Sequence, residues 1–464
     1  MYVPSAHNKK INHYMKKHLI GIALLTIAST VYAKTTDTLS GKNRKKVNEY
    51  FTQALNGNNA EFRKSIKVDN IDKMQSCVWA AWRECVEQLK EEKLIELGCL
   101  QDKKVGQWTL PEELEPNAIM PYYFGINEAV KEDEKVPFFL YMHGSGHKKS
   151  EWETGIKLCT EYFYKPAAYM VPQIPNMGEY YRWAIPSKQW AWEKLLRLLF
   201  LNDKIDANRI YFFGISEGGY GSQRLAAFYA DYLAGAGPMA GGEPLKNAPM
   251  ENVANIAFSL RTGAQDYMFG RSMLTNNARS VADSLAQAHP GYYNHYIEVI
   301  PGYGHGIDYR PTTPWLATHK RNPHPKYFYW ENFDMYGRYR KGFHNLRVNS
   351  ESRPDSTWRT CYEMEIKENT VYLNVNLAEY TTTMDIQGID MLFSKKFHKA
   401  TDGSVTIFLN NNLVDLSRPV KVIVNGKEVF NKKVKPNVKA MVESCALFFD
   451  SERIFPASID IDIK

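Results

Sequence analysis

Several common routes to a folded, functional chain are closed by what this sequence has little of. Its 464 residues hold only six cysteines (Cys77, Cys85, Cys99, Cys159, Cys361 and Cys445). None shows the short paired spacing of a zinc or disulfide framework. Cys77 and Cys85 stand eight apart in a helix-like stretch. That is roughly 12 Å of rise, too far for a bridge within one straight helix. Two readings stay open: six free thiols, or a Cys85–Cys99 bridge across a helical turn. No internal repeat and no low-complexity tract is present, which excludes a solenoid or a long disordered linker. Past residue 33 no apolar run approaches the roughly 20 residues that span a bilayer.

Charge of one sign is scarcer than it first looks. There are 58 basic and 51 acidic residues, a formal +7. Residues 1–33 contain four Lys, no Arg and no acid. Without them the balance is 54 to 51, or +3, too small to point to nucleic acid. Residues Met15–Ala33 (MKKHLIGIALLTIASTVYA) read as a secretory signal, with Met15 as its start. Lys16, Lys17 and His18 precede an uncharged apolar stretch, and Val31-Tyr32-Ala33 presents small residues for cleavage. Export to the periplasm or beyond is the expectation, with no stable membrane span.

Hydrophobic residues make up 44% and aromatics 13%, enough for a sizeable core. Residues 34–115 read as a helical leader, with Val78–Leu97 amphipathic and Gly98 as its stop. Residues 116–325 alternate short apolar runs with helical stretches. The runs are Phe138–Met142, Ala167–Val171, Arg209–Phe213, Ile256–Leu260 and Tyr296–Ile300. That alternation predicts an α/β fold, a mainly parallel sheet flanked by helices. Pro311–Pro325 reads as a rigid connector rather than a helix. Residues 326–464 alternate with period two and predict a small C-terminal antiparallel β domain, with Asn425-Gly426 as a hairpin turn.

Within the α/β region, Gly214-Ile215-Ser216-Glu217-Gly218 follows the run RIYFF and precedes a helical stretch. This is the strand–turn–helix setting of a nucleophile elbow, where only small residues two places either side allow the close approach, and Gly214 and Gly218 fill those places. A serine hydroxyl needs a base, and the base an orienting acid. Asp266 and His305 each follow an apolar strand run, in the order Ser, acid, His. Asp308, beside His305, reads as a local ion-pair residue, and Asp283 falls in a helical stretch. An oxyanion would be held by the Glu217 amide and by a second amide from His143-Gly144-Ser145-Gly146, at Gly144 or Ser145. His143 reads as structural. Arg182, Trp183 and Trp192 follow a strand end and are candidates for substrate contact. The competing reading for the tryptophans is core packing.

The set HGSG, DANRIYFFGISEGGYGSQRLA, TGAQD and GYGHG resembles the α/β-hydrolase superfamily, over roughly residues 120–310. Its texture is similar to secreted bacterial esterases related to polyhydroxybutyrate depolymerases, feruloyl esterases and prolyl-oligopeptidase-type hydrolases. The resemblance implies metal-independent, cofactor-free Ser-His-Asp chemistry on a carboxylic ester, with small-molecule or glycan esters as substrates. It also leaves open a serine exopeptidase, or a non-catalytic glycan-binding protein on the same fold. Glu217 departs from the pattern, since that place is often held by a small or neutral residue.

Overall fold

A computed structural model describes residues 39, 41–58, 61–63, 68, 70–386 and 388–464. The expected signal segment lies outside these residues. Among the described residues no helix is long and apolar enough to cross a membrane.

Eight strands make up most of a nine-stranded sheet: β1 (Val105–Thr109), β2 (Ile119–Ile126), β3 (Val136–Met142), β4 (Ala168–Pro172), β5 (Ile205–Ile215), β6 (Gly235–Met239), β7 (Ala257–Gly263) and β8 (His295–Ile300). Their spatial order is 1-2-4-3-5-6-7-8, and a two-residue strand, Gly98–Cys99, shares the outer side of β2. From β4 to β8 every pairing is parallel; β1–β2 and β2–β4 are antiparallel. The unbroken apolar runs follow from burial on both faces. In β3, Phe138, Leu140 and Met142 enter one core while Phe139 and Tyr141 enter another.

Helices α1 (Gly41–Leu55) and α2 (Ile71–Glu87) form the leader. The α/β region carries α3 (Lys148–Glu161), α4 (Pro186–Leu199), α5 (Glu217–Tyr229), α6 (Arg271–Ala288) and the short α7 (Thr312–Ala317). Two expectations need correction here, and one strand is added to those expected. The helix at Val78 ends at Glu87, not Gly98. Residues beyond it cross the sheet edge, where Ile95 N–H bonds Tyr122 Oη and Lys93 C=O accepts from Trp108 Nε1. Residues 312–317 do form a helix, since a proline in the first turn loses no helical hydrogen bond. It packs on β6, where a Cβ at Gly237 would meet Thr312 at 2.5 Å. And β6 itself (GAGPM) has no strand-favouring residue, because that packing demands glycine.

The tail holds two further sheets. One contains β9 (Tyr327–Asn332), β12 (Arg359–Lys367), β13 (Thr370–Ile386), β14 (Ile389–Lys399), β16 (Pro419–Val424) and β17 (Lys427–Lys433). The other contains β10 (Gly342–Phe343), β11 (Leu346–Ser350), β15 (Ser404–Leu409) and β18 (Ala457–Asp462). Pairing is antiparallel except between β13 and β16. The Asn425-Gly426 turn joins β16 to β17 with both residues at positive φ (49° and 81°), as a type I′ hairpin requires.

The tail also contains a helix, α8 (Val438–Phe448), against the all-β expectation. Its apolar positions Val438, Met441, Val442 and Cys445 face Val47, Phe51, Val78 and Trp82 of α1 and α2. Leader and tail thus share one core. No disulfide joins any of the six cysteines, five of them buried and Cys99 exposed, so the Cys85–Cys99 bridge is not formed.

Candidate active site

The turn after β5 is dictated by sterics. A Cβ at Gly214 would lie 2.5 Å from the Gly218 backbone and 2.6 Å from the Met142 carbonyl oxygen; one at Gly218 would collide with that same oxygen. The chain therefore turns between two glycines and forces Ser216 to φ 57°, ψ −113°. Such a conformation costs of order 1–3 kcal/mol and persists only where the surroundings fix it. Here the Ser216 N–H is tied to Met239 C=O at 2.9 Å and its C=O to Tyr220 N–H at 3.0 Å. The hydroxyl is left at the tip of the elbow, at the N-terminus of α5.

The acid and the histidine come from the loops after β7 and β8. Those loops are pressed together at Gly263, where a side chain would run into the Tyr303 and Gly304 carbonyls. Two strand-like hydrogen bonds continue the pairing past the sheet, Ala264 N–H to Ile300 C=O and Gln265 N–H to Tyr303 C=O, each 2.9 Å. This brings Asp266 and His305 side by side. His305 Nδ1 lies 2.7 Å from Asp266 Oδ2 and His305 Nε2 lies 3.0 Å from Ser216 Oγ. A carboxylate can only accept, so Nδ1 carries the proton and Nε2 is free to receive one from serine. Asp266 is 3% exposed, while the His305 side chain is 47% exposed. The competitors lie apart: Asp308 pairs with Arg310, and Asp283 with His295.

A buried cation sits behind the acid. Arg271 Nη1 bonds Asp266 Oδ1 at 2.9 Å, and its Nε donates to Tyr220 Oη at 2.7 Å. Nothing in the sequence pattern marked Arg271 beyond its place five residues after Asp266.

Of the two amides the 143–146 loop offers, one is already taken. Gly144 N–H is already bonded to Glu151 Oε2 at 3.1 Å, so the amide open to a substrate oxygen is that of Ser145, which is exposed on the cleft. Glu217 N–H lies in the first turn of α5, where backbone donors lack helical partners. His143 is structural as expected. Its Nε2 accepts from Ile174 N–H at 3.2 Å and its Nδ1 bonds Gly144 C=O at 2.7 Å. Burial pushes its pKa down to about 4, keeping it neutral.

The tryptophans are corrected as substrate candidates. Trp183 and Trp192 are both fully buried. Trp183 Nε1 donates to His143 C=O at 3.0 Å and Trp192 Nε1 to Trp183 C=O at 2.9 Å, so the pair braces the loop from behind. Arg182 does reach the cleft. It contacts Glu217 at 3.3 Å with 57% of its side chain exposed. Burial raises the Glu217 pKa, partly offset by Arg182.

Ser145, Ser216 and Glu217 open onto a cleft of about 700 Å³. Its wall adds Tyr220, Phe269 and Tyr336, and a bidentate Arg224–Glu243 pair at 2.6 and 3.0 Å. Three tail residues, Gly388, Ile389 and Asp390, complete it. None of these tail positions carried a signal in the sequence. Among the described residues no group of three or more His, Cys, Asp or Glu is arranged to hold a metal ion.

No family model and no curated protein matches the chain. Solved structures with partial likeness include a thermostable esterase (20% identity, 47% of this chain and 63% of that one, TM-score 0.37). A ferulic acid esterase from the anaerobic fungus Anaeromyces mucronatus aligns at 13% identity, over 50% of this chain and 92% of that one, with TM-score 0.34. A putative dipeptidyl aminopeptidase IV from Bacteroides ovatus aligns at 11% identity, over 46% and 34%, with TM-score 0.35. The strand order 1-2-4-3-5-6-7-8, the serine elbow after β5, and an acid and a histidine on the loops after β7 and β8 make this domain an α/β-hydrolase fold.

Proposed function

We propose that the chain is an exported serine carboxylesterase acting on carbohydrate-linked acyl or aryl esters. The observation that carries this reading is the unbroken chain Ser216–His305–Asp266, at 3.0 and 2.7 Å, opening on a cleft. Ser216 Oγ attacks the ester carbonyl as His305 Nε2 takes its proton. The oxyanion is held by the Glu217 and Ser145 amides. His305 then gives the proton to the leaving alcohol, and water repeats the sequence on the acyl-enzyme. Asp266 keeps the imidazole in the required tautomer and orientation.

The exopeptidase alternative needs carboxylates free to bind a substrate amine. Glu217 and Glu243 face the cleft, but each already pairs with an arginine, Arg182 and Arg224. That favours the ester. A fluorophosphonate probe should label the wild type and not Ser216→Ala, and ester turnover should fall by at least a thousandfold in that variant. Labelling that persists in Ser216→Ala would overturn the assignment. Faster release of an aminoacyl-anilide than of a short-acyl ester would favour the peptidase, and glycan binding with no turnover of either would favour the non-catalytic reading. Export through residues 15–33 predicts that the mature chain begins at Lys34, which N-terminal sequencing of the secreted protein would read.

A further inference from the structure

One wall of the cleft is not built by the catalytic domain. Strands β13 and β14 form a hairpin from the tail, and Gly388, Ile389 and Asp390 at its end line the same cleft as Ser216. The hairpin is fixed at three levels. Near the tip, the Asp390 carboxylate accepts from Lys246 and from Thr382 Oγ1 (2.8 Å). Next, Met391, 1% exposed, lays its terminal methyl beside Gly270, which stands at φ 67°. Deeper, Lys395 Nζ bonds Glu251 of the catalytic region at 2.7 Å and Glu331 of β9 at 2.9 Å. Contacts at residues 390, 391 and 395 thus tie the hairpin to the α/β region along its length.

The chemistry of the cleft is mixed. Phe269 and Tyr336 offer ring faces, while Asn247 and the half-free guanidinium of Arg182 offer hydrogen-bonding groups. An oligosaccharide has the matching character, with apolar C–H faces bordered by hydroxyls. The volume, about 700 Å³, lies in the range of small-molecule ligand clefts. We propose that the hairpin tip is the specificity wall of this hydrolase, holding an oligosaccharide part of the ester substrate against the face of the catalytic domain. This rests on the esterase reading for the reaction, but not for the binding.

The test separates the two. Binding of an acetylated β-1,4-linked oligosaccharide to Ser216→Ala protein is measured by calorimetry, alone and with Ile389→Trp, Ile389→Ala or Asp390→Ala added. In the active protein, the ratio of kcat/KM for that oligosaccharide ester to kcat/KM for p-nitrophenyl acetate is measured for the same three variants. The expected result is a tenfold or greater loss of affinity and of the ratio with Ile389→Trp and Asp390→Ala. Ile389→Ala guards against misfolding of the bulkier variant and should lower both by severalfold. Phe397→Ser, on β14 but outside the cleft lining, should leave both unchanged. Absence of oligosaccharide binding, or an unaltered affinity and ratio in the three wall variants, would overturn the proposal. Oligosaccharide binding without turnover of any ester would leave the wall standing and remove the esterase reading instead.

Discussion

Arg271 bonds the one oxygen of Asp266 that His305 does not use, at 2.9 Å, and its other face donates to Tyr220 on the helix that begins at the serine elbow. Both oxygens of Asp266 are thus occupied, and Asp266 is tied to the helix that begins at Ser216. The Arg271 side chain is 7% exposed. A buried pair of this kind is costly to break, because removing one partner strands the other charge.

Arg271→Leu should therefore lose stability by about 3–5 kcal/mol and lower kcat for a short-acyl ester at least tenfold. Arg271→Lys keeps the charge but not the two-direction fork, and should fall between. Denaturant melts and steady-state rates on the three proteins check this. A leucine variant with wild-type rate would show that Arg271 does not position Asp266.

Gly218 should tolerate no side chain. A methyl group there meets the backbone carbonyl of Met142, which cannot give way as a flexible side chain would. Gly218→Ala should cost at least about 3 kcal/mol, the upper range for overpacking, and abolish fluorophosphonate labelling. Gly146→Ala meets only the movable Glu151 carboxylate and should be milder. Melting temperatures of the two variants, compared side by side, decide the point.

Glu151 holds the oxyanion loop through Gly144 N–H. Glu151→Ala frees that amide but loosens the loop that presents Ser145. The expected outcome is a drop in kcat of about 10²-fold, near the loss of one oxyanion donor, with little change in KM. A rise in KM with kcat unchanged would assign Glu151 to substrate binding instead.

Stability should fall on acidification in two stages. His143 and His344 are buried and held neutral, with pKa values pushed down from 6.5 to about 4 and about 3. Below pH 6.5 only the unfolded chain takes up these protons, so stability drops as pH falls toward 4. Asp231 and Glu331 are also buried, which alone would raise them. The cations Arg340 and Arg453, and Lys395 and Arg359, outweigh burial and hold both carboxyls at about 2. Their contribution is present above the ordinary carboxylate range and is lost as pH falls from about 4 toward 2. Thermal melts from pH 8 to 3 should show both stages, and His344→Asn should flatten the first. Asparagine suits the positive φ of residue 344 (50°). A melting temperature flat from pH 7 to 4 would contradict this account.

Much of the catalytic domain is legible without coordinates because its causes are local. The unbroken runs at Phe138, Arg209 and Ile256 are strands because they are buried on both faces. The serine elbow is set by two glycines that no other residue could replace, and the Asn425-Gly426 turn by the positive φ both residues adopt. Even the chain order of Ser216, Asp266 and His305 can be read, since each follows a strand end. What the coordinates added lies between residues far apart in sequence. The glycines of β6 make sense only once α7 packs on them, and α8, set among strands in the tail, finds its packing partners in α1 and α2 at the other end of the chain. Trp183 and Trp192 look like substrate platforms in the sequence, yet they are buried braces, because which side of a loop faces solvent depends on what the rest of the chain lays over it. Arg271 behind the acid, the Glu151 bond that leaves Ser145 as the open amide, and the tail hairpin at the cleft are all of this kind. Local sterics and periodicity are written in neighbouring residues; the registers that bring loops and domains together are set only when the whole core closes.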